Sequence, residues 1–572
     1  MPEPLNDEQF IQRRMVMAAL LSAVVMGGYF YFAPRPEQPT ETQVASETVE
    51  TAAPDAASTA VPSSPAIESP PDEQLIEASR EEEVVIETDT LRVEFTNRGA
   101  TVKHWILKNY NDAAGNPLDL VHQGGAEQFG APFRLVLSGG DDLAGSDDAL
   151  FKVNPGPTLR RAPETLVFEY NKNGLGIRKT FGFQRDGYVV EVETEVAEGG
   201  RPQRHLIGWG GGFGDTAQVG NETHSETFYY DAGDIEHIAA SDAEDERISH
   251  EGPYPFVGIS DLFFTAAAIP EPAEAIRIET SAVKIVPVGS DADDPAVYAA
   301  AAFGGAPTNR LRVYVGPKSR DSLASVEGVG NAFRGIVNFG FFAFIAEPLF
   351  AMLRWVYGNI VSNWGWSIVI VTILINTILF PLKYKSTKSM RKMQQLQPLV
   401  KQINNKYKGV KMRDPRKAKQ NEELQALYKK HNANPVGGCL PILLQMPFFF
   451  AFYQLLTVAI EVRQAEWLWV TDLANPETLP IRILPLAMVA TQFWSQSLTP
   501  TPTTDATQAR LMKFMPLIFG FIFYQFQAGL VLYWLTTNCV GIGQQLILNR
   551  LPQEKLQLDS GPQRGKKKKR AR

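Results

Sequence analysis

Five apolar runs crowd the last third of the chain: Ser362–Leu382, Val436–Ile460, Ile481–Leu498, Leu511–Phe526 and Leu530–Leu548. A helix crossing about 30 Å of hydrocarbon needs roughly 20 such residues, because each backbone N–H and C=O must be satisfied within its own segment. The runs predict membrane-spanning helices, with 511–526 short for the task. A sixth run, Met15–Phe32, follows Arg13 and Arg14. It is long for the apolar part of a cleaved signal peptide, and Ala33-Pro34-Arg35-Pro36 offers no small-x-small cleavage site. Residues 1–33 therefore read as a cytoplasmic stub and an uncleaved signal anchor. Residues 331–360 are aromatic and apolar but broken by Arg334, Glu347-Pro348 and Arg354; an interfacial helix fits that pattern better than a span.

Charge sets the orientation. The chain carries a formal −8, yet residues 383–434 hold fifteen Lys/Arg against three acids, a local +12, and residues 550–572 a local +7. Subtracting those two segments from −8 leaves −27 for everything else. Lys and Arg are retained on the cytoplasmic side, so the 383–434 segment and the 549–572 tail both face inward. With the N-terminus inside as well, six spans satisfy the parity, and the long region between the first two falls outside.

That region has two textures. Residues 34–83 are rich in Pro, Ala, Thr, Ser and Glu and cannot bury enough apolar surface to offset ordering; they predict a disordered acidic linker. Residues 84–327 show strands instead. Leu91, Val93 and Phe95 alternate with Arg92 and Glu94, and Val190, Val192, Thr194 and Val196 alternate with Glu191, Glu193 and Glu195. Asn97-Arg98-Gly99-Ala100, Asn171-Lys172-Asn173-Gly174 and Arg185-Asp186-Gly187 read as turns. The expectation is a large antiparallel β-sandwich held by its own core, since Cys439 and Cys539 both lie in apolar runs and offer no disulfide framework.

The polar residues inside the spans narrow the chemistry. Thr372 and Asn376 share a face of the second span; Gln445, Gln492, Gln525 and Gln527 lie in or beside the next three. Thr536, Thr537, Asn538, Gln544 and Gln545 lie in the last. Inter-helix hydrogen bonding is the plain explanation for any one of them. As a set they are uncharged, without the mid-depth Asp, Glu or His of a proton relay, which points to a wet, neutral cavity. In the basic segment Met390, Met393, Leu396, Val400, Ile403 and Tyr407 form one helical stripe, broken at Gly409 and Asp414-Pro415 and answered by Leu424, Leu427 and Tyr428. This predicts a helical hairpin. It is either a solvated pair obeying the positive-inside rule or an arm, through Arg391, Lys392, Lys401 and Lys406, that docks ribosomal RNA, anionic lipid or emerging chains. The tail Lys566–Arg570 invites the same two readings, and neither segment has the aromatic interleaving of sequence-specific RNA recognition.

The stretch Asn434-Pro435-Val436-Gly437-Gly438-Cys439-Leu440-Pro441-Ile442-Leu443-Leu444-Gln445-Met446-Pro447 resembles the hallmark of the YidC insertase family. Asn363-Trp364-Gly365-Trp366-Ser367, ending at Phe380-Pro381-Leu382, resembles that family's second span. Met515-Pro516 and Gly529-Leu530-Val531-Leu532-Tyr533-Trp534 resemble its last two. The resemblance covers about residues 330–550, and more loosely the outer region, as in the Gram-negative form. It implies a polytopic α-helical membrane protein whose five-helix core encloses a hydrophilic groove, with a periplasmic β domain. It further implies an inner-membrane protein that receives nascent membrane proteins, alone or with the Sec translocon, and is neither an enzyme nor a cofactor or metal protein. The groove positions carried over are Thr372, Asn376, Gln445 and Trp534. Asn376 stands where the family has a groove arginine, and the nearest bases on that helix are Lys383 and Lys385. Lys383 lies seven residues on, about 10 Å along a helix axis. The expectation is a groove kept wet by Asn376 without being charged.

Two other classes compete. The β region holds His205, His224, His237 and His250 beside Glu222, Glu226 and Asp231, but no H-E-x-x-H or G-x-S-x-G pattern, and Gly210-Gly211-Gly212 lacks the lysine of a phosphate loop. A transporter or channel with an outer receptor domain would commonly show repeated halves, and no internal repeat is visible.

Overall fold

The computed structural model describes residues 75–139, 143–156, 159–215, 224–286, 295–409, 414–433, 440–499 and 506–551. The expected anchor 15–32, the first part of the linker, the Asn434–Cys439 half of the hallmark stretch and most of the tail lie outside these. The chain divides into two compact units, with the boundary between Val337 and Asn338.

The N-terminal unit is β-rich. A large sheet contains, as hydrogen-bonded neighbours, Val257–Ser260, Phe264–Pro270, Thr308–Pro317, Val189–Glu198, Leu175–Phe183 and Glu164–Lys172. Two five-stranded sheets pack on it. Phe95 of one lies 5.6 Å from Phe168 and 4.9 Å from Phe181, while Thr227 and Thr280 share a 2.5 Å hydroxyl contact with the other. The period-two pattern sorts the faces: Leu91, Val93, Phe95, Val190, Val192 and Val196 are all buried. Asn173 and Gly174 both take positive φ, as a tight hairpin twisted to match its strands demands. One pairing breaks the antiparallel rule: Glu83–Glu87 runs parallel to Arg160–Arg161. The linker also ends earlier than expected. Ile76 exchanges both backbone hydrogen bonds with Asn171, and Glu77 pairs with Lys172 at 2.8 Å, so residues 75–83 lie on the domain.

Burial concentrates polar groups at a few points. Lys179 is wholly buried, and its ammonium donates to the carbonyls of Gly99, Ala100 and Phe133 at 2.7, 3.2 and 2.8 Å. Burial pushes this amine down to about 7, while three acceptors for three protons favour the charged form. The Asp261 carboxylate accepts from the backbone N–H groups of Asp215, Phe263 and Phe264, and burial pushes it up to about 6.

The C-terminal unit is helical: α1 (Ala343–Asn359), α2 (Trp364–Ile378), α3 (Phe380–Lys406), α4 (Arg416–Lys430), α5 (Leu440–Val458), α6 (Ile483–Leu498), α7 (Ala506–Phe523) and α8 (Ala528–Arg550). Asn363 caps α2 through the Trp366 N–H, and the Asn363 amide also donates to Glu466 O at 2.8 Å. Gly365 is there because a Cβ would sit 2.2 Å from the Trp467 ring. These contacts tie the start of α2 to the loop between α5 and α6. Trp364, Trp366, Trp467 and Trp469 gather at this end, as tryptophans do at a lipid–water boundary.

The residues expected to lie flat at the surface form the one described helix, Gly340–Asn359, that is by itself long and apolar enough to cross a membrane. The expected second span is shorter than 362–382: the chain breaks at Leu379 and bends by 56° into α3. Pro381 next to the break explains why the helix does not run straight through. The α3–α4 hairpin closes on Met393, Leu396 and Ala433 with Leu399, Leu427 and Tyr428 against them.

Candidate functional site: a polar seam along the last helix

Helix α8 is the hub of the unit. Side chains around much of its circumference are buried, including Thr536, Thr537, Asn538, Gln544 and Gln545, so it meets neighbours on several sides. Toward α6, Trp534 Nε1 donates to Gln492 Oε1 at 3.4 Å, and the Asn538 amide reaches Met488 O and Thr491 Oγ1 at 3.3 and 3.4 Å. Toward α5, Tyr533 stacks on Phe452 at 4.3 Å, and its hydroxyl meets the Gln445 side chain. Toward α2, Gln544 Nε2 donates to Asn376 O at 3.0 Å. The other amide atom, Gln544 Oε1, is buried without a hydrogen-bond partner in the protein. Buried polar atoms are nearly always satisfied, so an acceptor left over here calls for water or a visiting donor.

The four expected groove residues divide. Asn376, Gln445 and Trp534 are half-buried, each on a helix that faces α8 or on α8 itself. Asn376 donates to Thr372 O at 2.9 Å, one turn back on its own helix, while its backbone oxygen accepts from Gln544 at the seam. Trp534 lies among Phe449, Phe519 and Phe523 at 5.2, 6.0 and 5.1 Å, so its indole is apolar on its faces and polar only at the edge toward Gln492. Thr372 departs from the expectation. It is fully buried, and its hydroxyl donates to Ile368 O at 2.6 Å, which leaves nothing to offer a passing chain.

Lys383, expected at the inner exit, reaches α8 itself. The bend at Leu379 turns it back toward the bundle, and its Nζ lies 3.1 Å from where a Gly541 Cβ would stand. Gly541 is thirteen residues into α8, about 20 Å along its axis. The signal was present in the sequence, since a glycine three residues before Gln544 leaves room for a long side chain, but only the bend says which one.

The proposed docking bases also separate. Arg391 donates to Asn549 at 2.7 Å, fixing the hairpin base to α8. Lys406 is committed to Glu423, whose carboxylate also accepts from Tyr407 at 2.9 Å. Lys401 is exposed and Lys392 half-buried. In the β unit the histidines do separate jobs. His205 bridges Thr194 and Gln203 O and is pushed down to about 4 by burial; His237 faces Glu226 at 3.0 Å; His250 stacks on Tyr229. Among the described residues no three His, Cys, Asp or Glu side chains converge as metal ligands would.

Comparison with known proteins agrees along the chain. The 60Kd inner membrane protein family matches residues 355–555, and the YidC periplasmic domain matches residues 83–352. The membrane protein insertase YidC of Cupriavidus necator is 33% identical over 528 residues, 87% of each chain. That of Wolinella succinogenes is 37% identical over 402 residues, 68% of each. A crystal structure of an active YidC insertase with its first transmembrane domain resolved covers 82% of this chain and 94% of its own, at 18% identity and a TM-score of 0.35. The chain belongs to the YidC family of membrane protein insertases, proteins of the inner membrane with a periplasmic domain.

Proposed function

We propose that the seam along α8 is where this insertase receives its clients. A nascent chain's polar flank enters from the cytoplasm between α2, α5, α6 and α8, while its apolar stretch moves along the lipid-facing helices. Partial hydration part-way through the membrane spares the flank the full desolvation cost. The observation that carries this reading is the convergence of Asn376, Gln445 and Gln492 on α8, which carries Trp534, together with the buried, unpartnered oxygen of Gln544. Lys383 adds a cation at the inner part of the same seam. Acidic flanks then have an electrostatic partner that the α2 position itself lacks.

Around this core the reading assigns six spans with both termini cytoplasmic, the N-terminal unit in the periplasm, and α1 at the outer interface. The hairpin and basic tail meet the ribosome and anionic lipid. The chain works alone or beside the Sec translocon and helps inserted helices fold. Photo-crosslinkers at 376, 445 and 534 should capture a stalled nascent membrane protein in cells, while one at Ile368, which is fully buried, should not. Equal capture from all four positions would remove the groove from the account.

A further inference from the structure

At the end of the bundle opposite the hairpin, α6 and α7 leave an apolar groove between them. Its volume is about 280 Å³, and it is lined by Pro485, Leu486, Val489, Leu517, Gly520 and Phe521, with Tyr524 and Gln525 beyond. Gly520 forms the close crossing, since a Cβ there would lie 2.4 Å from Val489 Cγ2. Leu486, Leu517 and Phe521 are exposed along the rim, Phe521 at 81%. At the mouth stands Arg482. Its guanidinium donates to Tyr524 O and lies 5.0 Å from the Tyr524 ring centroid.

From this geometry we infer that the groove is a binding site for one acyl chain of an anionic phospholipid, with its phosphate on Arg482. The lining suits a hydrocarbon tail, a single thread of methylenes, because it is apolar except at its Tyr524 and Gln525 end. Charge selects the headgroup. A guanidinium at the lipid–water boundary presents planar N–H donors that match phosphate oxygens, and the Tyr524 and Gln525 side chains stand beside it. The tryptophans at the start of α2 and in the α5–α6 loop mark this level as the interface. The basic hairpin meets α8 at its other end, through Arg391 and Asn549, so this lipid site is separate from any attraction the hairpin exerts.

The test uses the full-length chain in nanodiscs made from equal amounts of phosphatidylglycerol and phosphatidylcholine. Lipids that stay bound on gentle release are counted by native mass spectrometry. The natural chain should retain phosphatidylglycerol over phosphatidylcholine by roughly fivefold, the preference one basic side chain confers near a membrane surface. Arg482→Gln should lower the preference measurably, leaving only what the hairpin and tail retain, and Arg482→Lys should keep it near the natural value. Leu486→Trp, which fills the groove from its exposed rim, should reduce retention of both lipids. A natural chain without preference, or an Arg482→Gln variant that keeps it undiminished, overturns the assignment. Arg482→Lys guards against misfolding as the cause, because a loss of binding in both variants would also refute a charge-based site.

Discussion

Replacing Asn376 with Leu separates holding the fold from serving the client. The Asn376 side chain hydrogen-bonds to Thr372 O on its own helix, and Gln544 binds the Asn376 backbone oxygen, which any residue supplies. Losing a neutral, half-buried bond costs about 0.5–1.5 kcal/mol, and the better helix propensity of Leu returns a few tenths. The variant should therefore fold and reach the membrane. A polar client group passing this point loses a hydrogen-bonding neighbour and the water around it, at about 1–3 kcal/mol. Each 1.4 kcal/mol is a factor of about ten in rate, so insertion should fall by roughly an order of magnitude. Asn376→Arg keeps a donor and a wet site and should fall much less. The assay is protease protection of a small single-span client presented to purified protein in liposomes. A Leu variant that inserts at the natural rate refutes the reasoning.

Lys383→Gln should slow clients with acidic flanks more than clients with neutral ones, because it removes the cation at Gly541; equal slowing of both would mean Lys383 only supports the fold. Lys179→Met should destabilise the N-terminal unit by on the order of 3 kcal/mol, since three buried carbonyls lose their donor. Thermal melting of the full chain measures it, and a loss under about 1 kcal/mol would contradict the strut role. Asp261, pushed up to about 6 by burial, binds its proton more tightly folded than unfolded. The N-terminal unit should therefore gain stability as pH falls from above 6 toward 4, by up to about 3 kcal/mol from this group. Hydrogen exchange across Phe264–Pro270 should show that gain in the natural chain and not in Asp261→Asn, and the same pH response in both would rule out this carboxyl as its source.

Strand faces were legible because burial on one side of a sheet imposes a period of two, as Leu91, Val93 and Phe95 show. The polar residues of the seam were legible too, because lipid makes an uncharged amide inside a span conspicuous. What the sequence hid was direction. Thr372 and Asn376 share a helical face, yet the threonine turns its hydroxyl into its own backbone and is sealed, while the asparagine remains half-open. That Lys383 meets α8 at Gly541 was hidden as well, because it depends on the 56° bend between α2 and α3, which the sequence does not specify. The ordering of residues 75–83 was hidden for a similar reason. Their composition reads as linker, and it is bonding to Asn97, Leu150 and Asn171, farther along the chain, that orders them.

Hydration of the seam is most directly measured by cysteine labelling in intact inner-membrane vesicles, with Cys439 and Cys539 first changed to Ser. Single cysteines at 376, 445 and 492 should react with a small hydrophilic maleimide from the cytoplasmic side, while cysteines at Ile368 and Val371, both fully buried, should stay silent. If 376, 445 and 492 prove as unreactive as 368, no water reaches the last helix, and this chain moves its clients by some other route.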